Sequence, residues 1–161
     1  HTPLQSTKIL LAEDNPTNQM VAMQMLESLG AEVTLAVDGA EALEILQREA
    51  FDVALIDIEM PRISGIELIR RLRSMQGDVA AMPLIALTAY VMREHRIAIE
   101  EAGADAIIAK PILSIEQFGA DILQHLGAKE AAAASMPPHS VDADGRSTRP
   151  SATATTAADR R

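Results

Sequence analysis

Short apolar runs that alternate with longer helical segments are the feature that most restricts how this chain can fold. Four of these runs are four residues long and stop at a polar residue, as Val53-Ala54-Leu55-Ile56 does before Asp57. Runs of this length, bounded in this way, are typical of buried parallel strands. We predict strands near residues 8–12, 32–37, 52–57, 83–88 and 106–109, and helices near residues 16–29, 40–49, 65–76, 91–102 and 115–126.

This alternation also predicts the architecture of the sheet. Strands that alternate with helices form a parallel sheet with helices on both of its faces. We therefore predict a flavodoxin-like, doubly wound α/β domain whose five strands lie in the order 2-1-3-4-5. Capping residues support the helix positions, since Asn15 precedes Pro16 and Ser64 stands three residues before Glu67.

The sequence changes character on either side of the alternating region. Residues 1–7 precede the first strand and are predicted to form an N-terminal extension of the domain at residues 8–127. Residues 128–161 are rich in small and polar residues and have no apolar period, so we predict a disordered tail or linker there. Ala131 to Ala134 could extend the last helix slightly before Pro137 ends it.

The charge and composition of the chain exclude several classes of function. Residues 1–127 hold 9 Lys and Arg against 19 Asp and Glu, a net charge of −10. A domain this acidic repels a phosphate backbone, which argues against direct binding to nucleic acid. The chain has no cysteine, no apolar run long enough for a membrane span and no start resembling a signal peptide. We expect a cytoplasmic protein without disulfides or thiolate metal sites.

Polar residues at the ends of the predicted strands indicate the functional site: Glu13, Asp14, Asp57, Thr88 and Lys110. In an open parallel sheet, ligands bind outside the carboxyl ends of the strands. Three carboxylates, a hydroxyl and an ammonium group would therefore meet in one crevice. This set suits Mg²⁺ and a phosphoryl group.

Roles within this crevice follow from ordinary coordination and phosphoryl chemistry. Asp14 and Asp57 are the expected direct Mg²⁺ ligands, Glu13 acts through water, and the backbone carbonyl of Glu59 adds a further oxygen. Asp57 ends the most buried strand and is the expected nucleophile. The phosphoryl oxygens would be bound by the Thr88 hydroxyl, the Ala89 N–H and the Lys110 ammonium group.

The ordered set of motifs resembles a known family. Residues 8–126 resemble the receiver domain of two-component response regulators, and most of all the receivers of hybrid histidine kinases. The matching segments are Leu10-Leu11-Ala12-Glu13-Asp14-Asn15, Asp57-Ile58-Glu59-Met60-Pro61 with Gly65, Leu87-Thr88-Ala89 and Lys110-Pro111.

This resemblance implies a fold, a function and partners. It implies that Asp57 accepts a phosphoryl group from a phosphohistidine on a histidine kinase or phosphotransfer domain, with Thr88 as the switch hydroxyl. It implies a cis peptide bond before Pro111. The domain would assist its own phosphorylation and dephosphorylation without turning over a separate substrate, and it is compatible with a place in a larger hybrid kinase chain.

The sequence departs from the family at the position of an aromatic switch residue. Receivers often carry Tyr or Phe three residues before the lysine, and here that residue is Ile107. Tyr90, the only tyrosine, instead follows Thr88 by two residues, where it is expected to affect access of water. Glu59 flanks the site on the other side, where its carboxylate could order water or repel a phosphate. His95 is expected on an exposed helix face and is assigned no catalysis.

Two rival functions remain open at this point, and a third is excluded. An aspartate-nucleophile, Mg²⁺-dependent phosphatase would share Asp57, although Glu59 stands where such enzymes carry a second aspartate. A receiver that docks partners without phosphorylation would not need the intact site. A dinucleotide-binding domain is excluded because Glu-Asp-Asn-Pro, and not a glycine-rich loop, follows the first strand.

Overall fold

The computed structural model describes residues 2–134, with side chains described up to Leu126, and residues up to Leu126 form one compact unit. Strands and helices alternate five times, as predicted. The strands are β1 (Lys8–Ala12), β2 (Glu32–Ala36), β3 (Val53–Asp57), β4 (Leu84–Thr88) and β5 (Ala106–Ala109). The helices are α1 (Pro16–Ser28), α2 (Gly39–Arg48), α3 (Gly65–Arg73), α4 (Arg93–Ala102) and α5 (Ile115–Ala134), and a 3₁₀ turn covers Asp78–Ala81.

The five strands form one parallel sheet in the order β2-β1-β3-β4-β5, which confirms the predicted topology. The register places Ala12 of β1 beside Ile56 of β3, and Asp57 beside Leu87 of β4. The carboxyl ends of the central strands therefore lie level at one edge of the sheet. None of the helices in the described residues has the length and hydropathy needed to cross a membrane.

The core lies in two layers, one on each face of the sheet. Alternate residues of β1, Leu10 and Ala12, pack in a cluster with α2, α3 and α4. The intervening residues, Ile9 and Leu11, pack in a second cluster with α1 and α5, where Phe118 is fully buried. The central strands are covered on both faces of the sheet, which explains why they consist of uninterrupted apolar residues.

Helix boundaries follow the capping residues where the sequence supplies them. The side chain of Asn15 accepts a hydrogen bond from the Asn18 N–H, and that of Ser64 accepts one from the Glu67 N–H. Helix α4 begins at Arg93, two residues later than predicted, because Met92 is extended and has no capping side chain. Helix α5 continues to Ala134, and the rest of the predicted tail, residues 135–161, lies outside the described residues.

The N-terminal extension packs onto the domain at the far end of α1. The Leu4 N–H donates to the Leu29 carbonyl at 2.9 Å, and the Ser6 N–H donates to the Gly30 carbonyl at 3.3 Å. The Leu4 side chain is fully buried and belongs to the same core cluster as Leu29. Residues preceding β1 therefore contribute to the hydrophobic core.

The first prediction follows from the burial of Leu4. Leu4→Ala should lower the free energy of unfolding by roughly 2–5 kcal/mol, because it removes buried methyl groups and leaves a cavity. Urea denaturation followed by circular dichroism measures this loss. Leu113→Ala is the matched control, since the Leu113 side chain is 88% exposed and its truncation should cost very little. Equal stability of the two variants would show that the extension is not part of the core.

Candidate functional site

The five polar residues predicted at the strand ends do lie together at one edge of the sheet. Glu13 and Asp14 follow β1, Asp57 is the last residue of β3, Thr88 ends β4, and Lys110 follows β5. Backbone hydrogen bonds fix two of these ends against each other, since the Lys110 N–H donates to the Thr88 carbonyl at 2.8 Å. The parallel sheet thus brings residues distant in sequence into one crevice.

Three carboxylates form the acidic side of this crevice. Oxygens of Glu13, Asp14 and Asp57 all lie within 4.8 Å of one another. The Glu13 and Asp57 residues are each only 2% exposed, and Asp14 is partly exposed. Negative charges held so closely repel one another unless a cation or a proton intervenes. Oxygen donors grouped in this way suit a hard divalent cation such as Mg²⁺.

Lys110 supplies the positive charge of the site. Its Nζ donates to Asp57 Oδ1 at 2.8 Å and lies 3.8 Å from Glu13 Oε1 and 3.9 Å from Glu59 Oε1. Burial disfavours its ammonium form, while the hydrogen bond and charge of Asp57 favour it. With help from Glu13 and Glu59, they raise the pKa of Lys110. The peptide bond between Lys110 and Pro111 is cis, as predicted.

The surroundings of Glu13 favour its protonated form. Burial, followed by the hydrogen bond and charge of the adjacent Asp57 carboxylate, raises the pKa of Glu13 from its usual value of 4.5 to about 7. The charge of Lys110 and the Asn15 N–H oppose this shift without cancelling it. Near neutral pH, the folded domain therefore holds a proton on Glu13 more readily than the unfolded chain does.

This shift predicts how stability depends on pH in metal-free buffer. Because the folded state binds the extra proton, stability should fall as pH rises from about 4.5 to 7, by about 3 kcal/mol if Glu13 acts alone. Thermal unfolding at several pH values in a chelating buffer tests this expectation. Glu13→Gln cannot ionise and should flatten the profile in that window. An equally steep profile in this variant would assign the pH dependence to other groups.

The Thr88 hydroxyl is fully buried and bonds to the side chain of Glu59. Thr88 Oγ1 lies 2.7 Å from Glu59 Oε2, and the Tyr90 N–H donates to the same Oγ1 at 3.0 Å. The Ala89 N–H points to Glu59 Oε1 at 3.5 Å. The sequence predicted the backbone carbonyl of Glu59 at the metal and left open whether its carboxylate orders water or repels a phosphate. The structure shows that its carboxylate turns toward Thr88, Ala89 and Lys110.

His95 also reaches this site, and its expected place on an exposed helix face is wrong. It is the third residue of α4, and its side chain is only 27% exposed. Its Nε2 lies 3.3 Å from Thr88 Oγ1 and 3.6 Å from Glu59 Oε2. The only sequence signal for this placement was its nearness to the end of β4. Nearness in sequence does not show whether the side chains in the first turn of α4 point toward the site or toward solvent.

Tyr90 and Ile107 occupy different environments. Tyr90 is 59% exposed, and its ring meets the His95 ring edge-on with 5.9 Å between centroids. Ile107 lies in β5 beside Ala86 and packs, partly buried, against the core on the α2–α3–α4 face. An aliphatic core residue thus stands where related domains often carry an aromatic one.

A cleft of about 370 Å³ adjoins the crevice between α1 and the loop after β5. Glu13 and Lys110 line its inner end, and Val21 and Ile112 line its apolar part. A second cavity of about the same volume lies at the other end of the sheet, beside Phe51 and Met75, and contains none of the predicted site residues. The first cleft therefore meets the acidic group at Glu13.

Comparisons with known proteins agree with this geometry. A family model described as the response regulator receiver domain matches residues 9–122. The sensor protein GacS of Pseudomonas syringae pv. syringae is 33% identical over 122 residues, which cover 74% of this chain but only 13% of GacS. The polar-differentiation response regulator DivK of Brucella anthropi is 32% identical over 119 residues, which cover 74% of this chain and 95% of DivK.

A solved structure shows the same likeness. The receiver domain of the sensor histidine kinase PA1611 from Pseudomonas aeruginosa PAO1, which has a magnesium ion coordinated in its active site cleft, is 37% identical to this chain with a TM-score of 0.69. The match covers 76% of this chain and 98% of that domain. On the strength of its sheet order, its acidic crevice and these matches, the chain belongs to the response regulator receiver domain family of two-component signal transduction.

Proposed function

We propose that Asp57 is the residue of this receiver that accepts a phosphoryl group from a phosphohistidine. The observation that carries this proposal is the position of its carboxylate between the acidic pair and the Lys110 ammonium group. Both the Lys110 ammonium and the Glu59 N–H donate to Oδ1, at 2.8 Å and 3.2 Å. We therefore assign the attack on phosphorus to Oδ2.

The transfer is a simple exchange of bonds at phosphorus. As Oδ2 of Asp57 forms its bond to phosphorus, the phosphorus–nitrogen bond of the donor breaks, and its electron pair leaves on the imidazole nitrogen. Negative charge on the phosphoryl oxygens would be stabilised by Lys110, the Thr88 hydroxyl and the Ala89 N–H. Positioning and charge stabilisation are the main contributions that such a reaction requires.

The acidic group fits a magnesium ion. Asp14 and Asp57 would supply direct carboxylate ligands, the longer Glu13 would act through water, and the Glu59 backbone carbonyl would complete the protein's share. Bound Mg²⁺ would neutralise the charge that accumulates on the transferred group. The related PA1611 domain has a magnesium ion coordinated in its active site cleft, which supports this assignment.

The proposed partners are a histidine kinase or a histidine phosphotransfer domain, and not a nucleic acid. The chain spans about one eighth of the sensor protein GacS, which is compatible with a place in a larger hybrid kinase chain. Kinases of this kind draw phosphoryl groups from ATP, so we place the domain in the cytoplasm. Its net negative charge argues against direct contact with DNA or RNA.

We further propose that the response to phosphorylation is centred on the loop after β4. Thr88 would move toward a new phosphoryl oxygen, which is a stronger acceptor because it is charged. The loop and first turn of α4, residues 89–96, would follow this movement, and Tyr90 would affect access of water. Ile107 is stiff at its branched carbon and would shift little. Phosphorylation would thus shift the populations of the inactive and active conformations of the surface, and the domain would not turn over a separate substrate.

Mass spectrometry of the intact native chain tests the function. Incubation with Mg²⁺ and a small-molecule acyl phosphate should add the mass of one phosphoryl group, and a chelator should prevent the addition. Steady release of phosphate from a phosphomonoester would instead favour the phosphatase. No labelling by any donor, small or protein, would favour a receiver that only docks partners.

Substitution of Asp14 tests the proposed magnesium site. Asp14→Asn should weaken Mg²⁺ binding by at least tenfold, because it removes a charged ligand from a site with few protein ligands. Asp78→Asn, in the 3₁₀ turn, removes the same charge away from the acidic group and serves as the control. Isothermal titration with MgCl₂ measures both variants. Unchanged affinity in Asp14→Asn would move the metal site elsewhere.

A further inference from the structure

One carboxylate occupies the groups that a phosphoryl group would need. The Thr88 hydroxyl lies 2.7 Å from Glu59, the Ala89 N–H 3.5 Å, and the Lys110 ammonium 3.9 Å. These three donors are the same ones that the proposed function assigns to the phosphoryl oxygens. The Thr88 hydroxyl has a single proton and cannot donate it to two anions at once, so Glu59 and a phosphoryl group on Asp57 compete for it.

We propose that the Glu59 carboxylate is an internal competitor for the phosphoryl-binding donors, and that His95 holds it once it has been displaced. This inference rests on the proposed function, because it takes Asp57 as the phosphorylated residue. Glu59 is a positioning residue under this proposal, since it sets which anion the donors bind. Its side chain is 31% exposed, which leaves it room to move outward.

The hydrogen bonds around Thr88 show how the competitor is held at rest. A hydroxyl carries one proton and accepts up to two hydrogen bonds. The proton goes to Glu59 Oε2, the nearest acceptor, and the Tyr90 N–H donates to the oxygen, while His95 Nε2 lies 3.3 Å from the same oxygen. At rest, the Thr88 hydroxyl therefore donates to Glu59 and accepts from the Tyr90 N–H. A phosphoryl oxygen that takes the Thr88 proton breaks the hydrogen bond between Thr88 and Glu59.

His95 is placed to receive the carboxylate that this exchange releases. Its Nε2 is 3.6 Å from Glu59 Oε2 at rest, so a small rotation of either side chain forms a direct hydrogen bond. His95 belongs to the first turn of α4 and touches the Tyr90 ring. Displacement of Glu59 toward His95 would thus shift the first turn of α4 directly. This link does not require the aromatic residue that Ile107 replaces.

The test measures binding of beryllofluoride, a phosphoryl analogue, in the presence of Mg²⁺. Glu59→Ala removes the competitor and should bind the analogue roughly tenfold or more tightly than the native chain, since one charge-assisted hydrogen bond is no longer lost. Glu94→Ala removes the same charge from an exposed site on α4 and should change the affinity far less. Circular dichroism confirms that each variant is folded.

A double-mutant cycle isolates the role of His95. His95→Phe keeps a ring beside Tyr90 but removes Nε2, and it should weaken analogue binding several-fold in the chain that contains Glu59. The same change should have a much smaller effect in the Glu59→Ala background, where no carboxylate needs a new partner and only the contact with Thr88 is lost. A merely structural role of His95 would give the same loss in both backgrounds.

The possible failures can be told apart. If the native chain binds the analogue but Glu59→Ala binds it no more tightly, the competitor role is overturned and the function at Asp57 stands. If His95→Phe has equal effects in the two backgrounds, His95 is not the second partner. If neither the native chain nor any variant binds the analogue, both the competitor role and the proposed phosphorylation of Asp57 are refuted.

Discussion

Asp57→Asn should abolish phosphoryl labelling, with a fall in incorporation of at least a hundredfold under conditions that label the native chain fully. Asparagine keeps the shape of the side chain but cannot form the acyl phosphate, because its amide replaces the attacking carboxylate oxygen. The Lys110 ammonium lies on Oδ1 of Asp57 and would still find an amide oxygen there, so the fold should survive. Intact mass spectrometry after treatment with a phosphohistidine protein or an acyl phosphate gives the measurement.

A matched control lies at the other end of the same strand. Asp52 immediately precedes β3, and its carboxylate accepts a hydrogen bond from the Lys8 N–H at 2.8 Å. Asp52→Asn removes the same charge and should leave labelling at the native level. Labelling that persists in Asp57→Asn at native stoichiometry would contradict the assignment of the phosphoacceptor.

Gly65→Ala should cause the second large effect, a loss of stability together with slower phosphorylation. A Cβ atom at Gly65 would lie 2.4 Å from the Asp57 carbonyl oxygen and 2.6 Å from the Ile58 Cα, which is closer than atoms can approach. Both neighbours are backbone atoms, so the start of α3 or the end of β3 must move. We expect a loss near the upper end of the roughly 1–3 kcal/mol typical of overpacking.

The effect on chemistry follows from which backbone is displaced. Asp57 carries the candidate nucleophile, and small errors in its position reduce transfer strongly. Gly119→Ala is the control, because its added Cβ meets only the flexible side chain of Leu29, at 3.1 Å or more. Chemical denaturation and the rate of labelling should both separate the two variants. Native-like stability and rate in Gly65→Ala would show that this close approach is relieved without cost.

Residues whose position depends on strand ends could be predicted from the sequence. An apolar run predicts a buried strand, and parallel strands have their carboxyl ends at the same edge of the sheet. The polar residue that follows each run must therefore lie at that edge. Asp57 and Lys110 are 53 positions apart in the chain and yet form a 2.8 Å ion pair for this reason. The cis peptide bond before Pro111 followed from family resemblance and not from this reasoning.

Residues whose position depends on loops or on one distant contact could not be predicted. Leu4 is a single aliphatic residue outside any apolar run, and its burial depends on Leu29 at the end of α1. The direction of the Glu59 side chain depends on a loop in which Arg62 adopts a positive φ of 63°. His95 was placed in a helix assumed to begin at residue 91, which moved it out of the first turn that it occupies.

The packing of the N-terminal segment has a consequence for how such a domain is tethered. Leu4 meets Leu29 at the end of α1 remote from the acidic crevice, and α5 passes the same Leu29 at Gly119 as it runs on from β5. The first residues of the chain are therefore held at the end of the domain that is remote from the acidic crevice. A receiver that is joined to a longer polypeptide through this segment keeps its acidic crevice at the end opposite the point of attachment, where a phosphoryl donor can approach it.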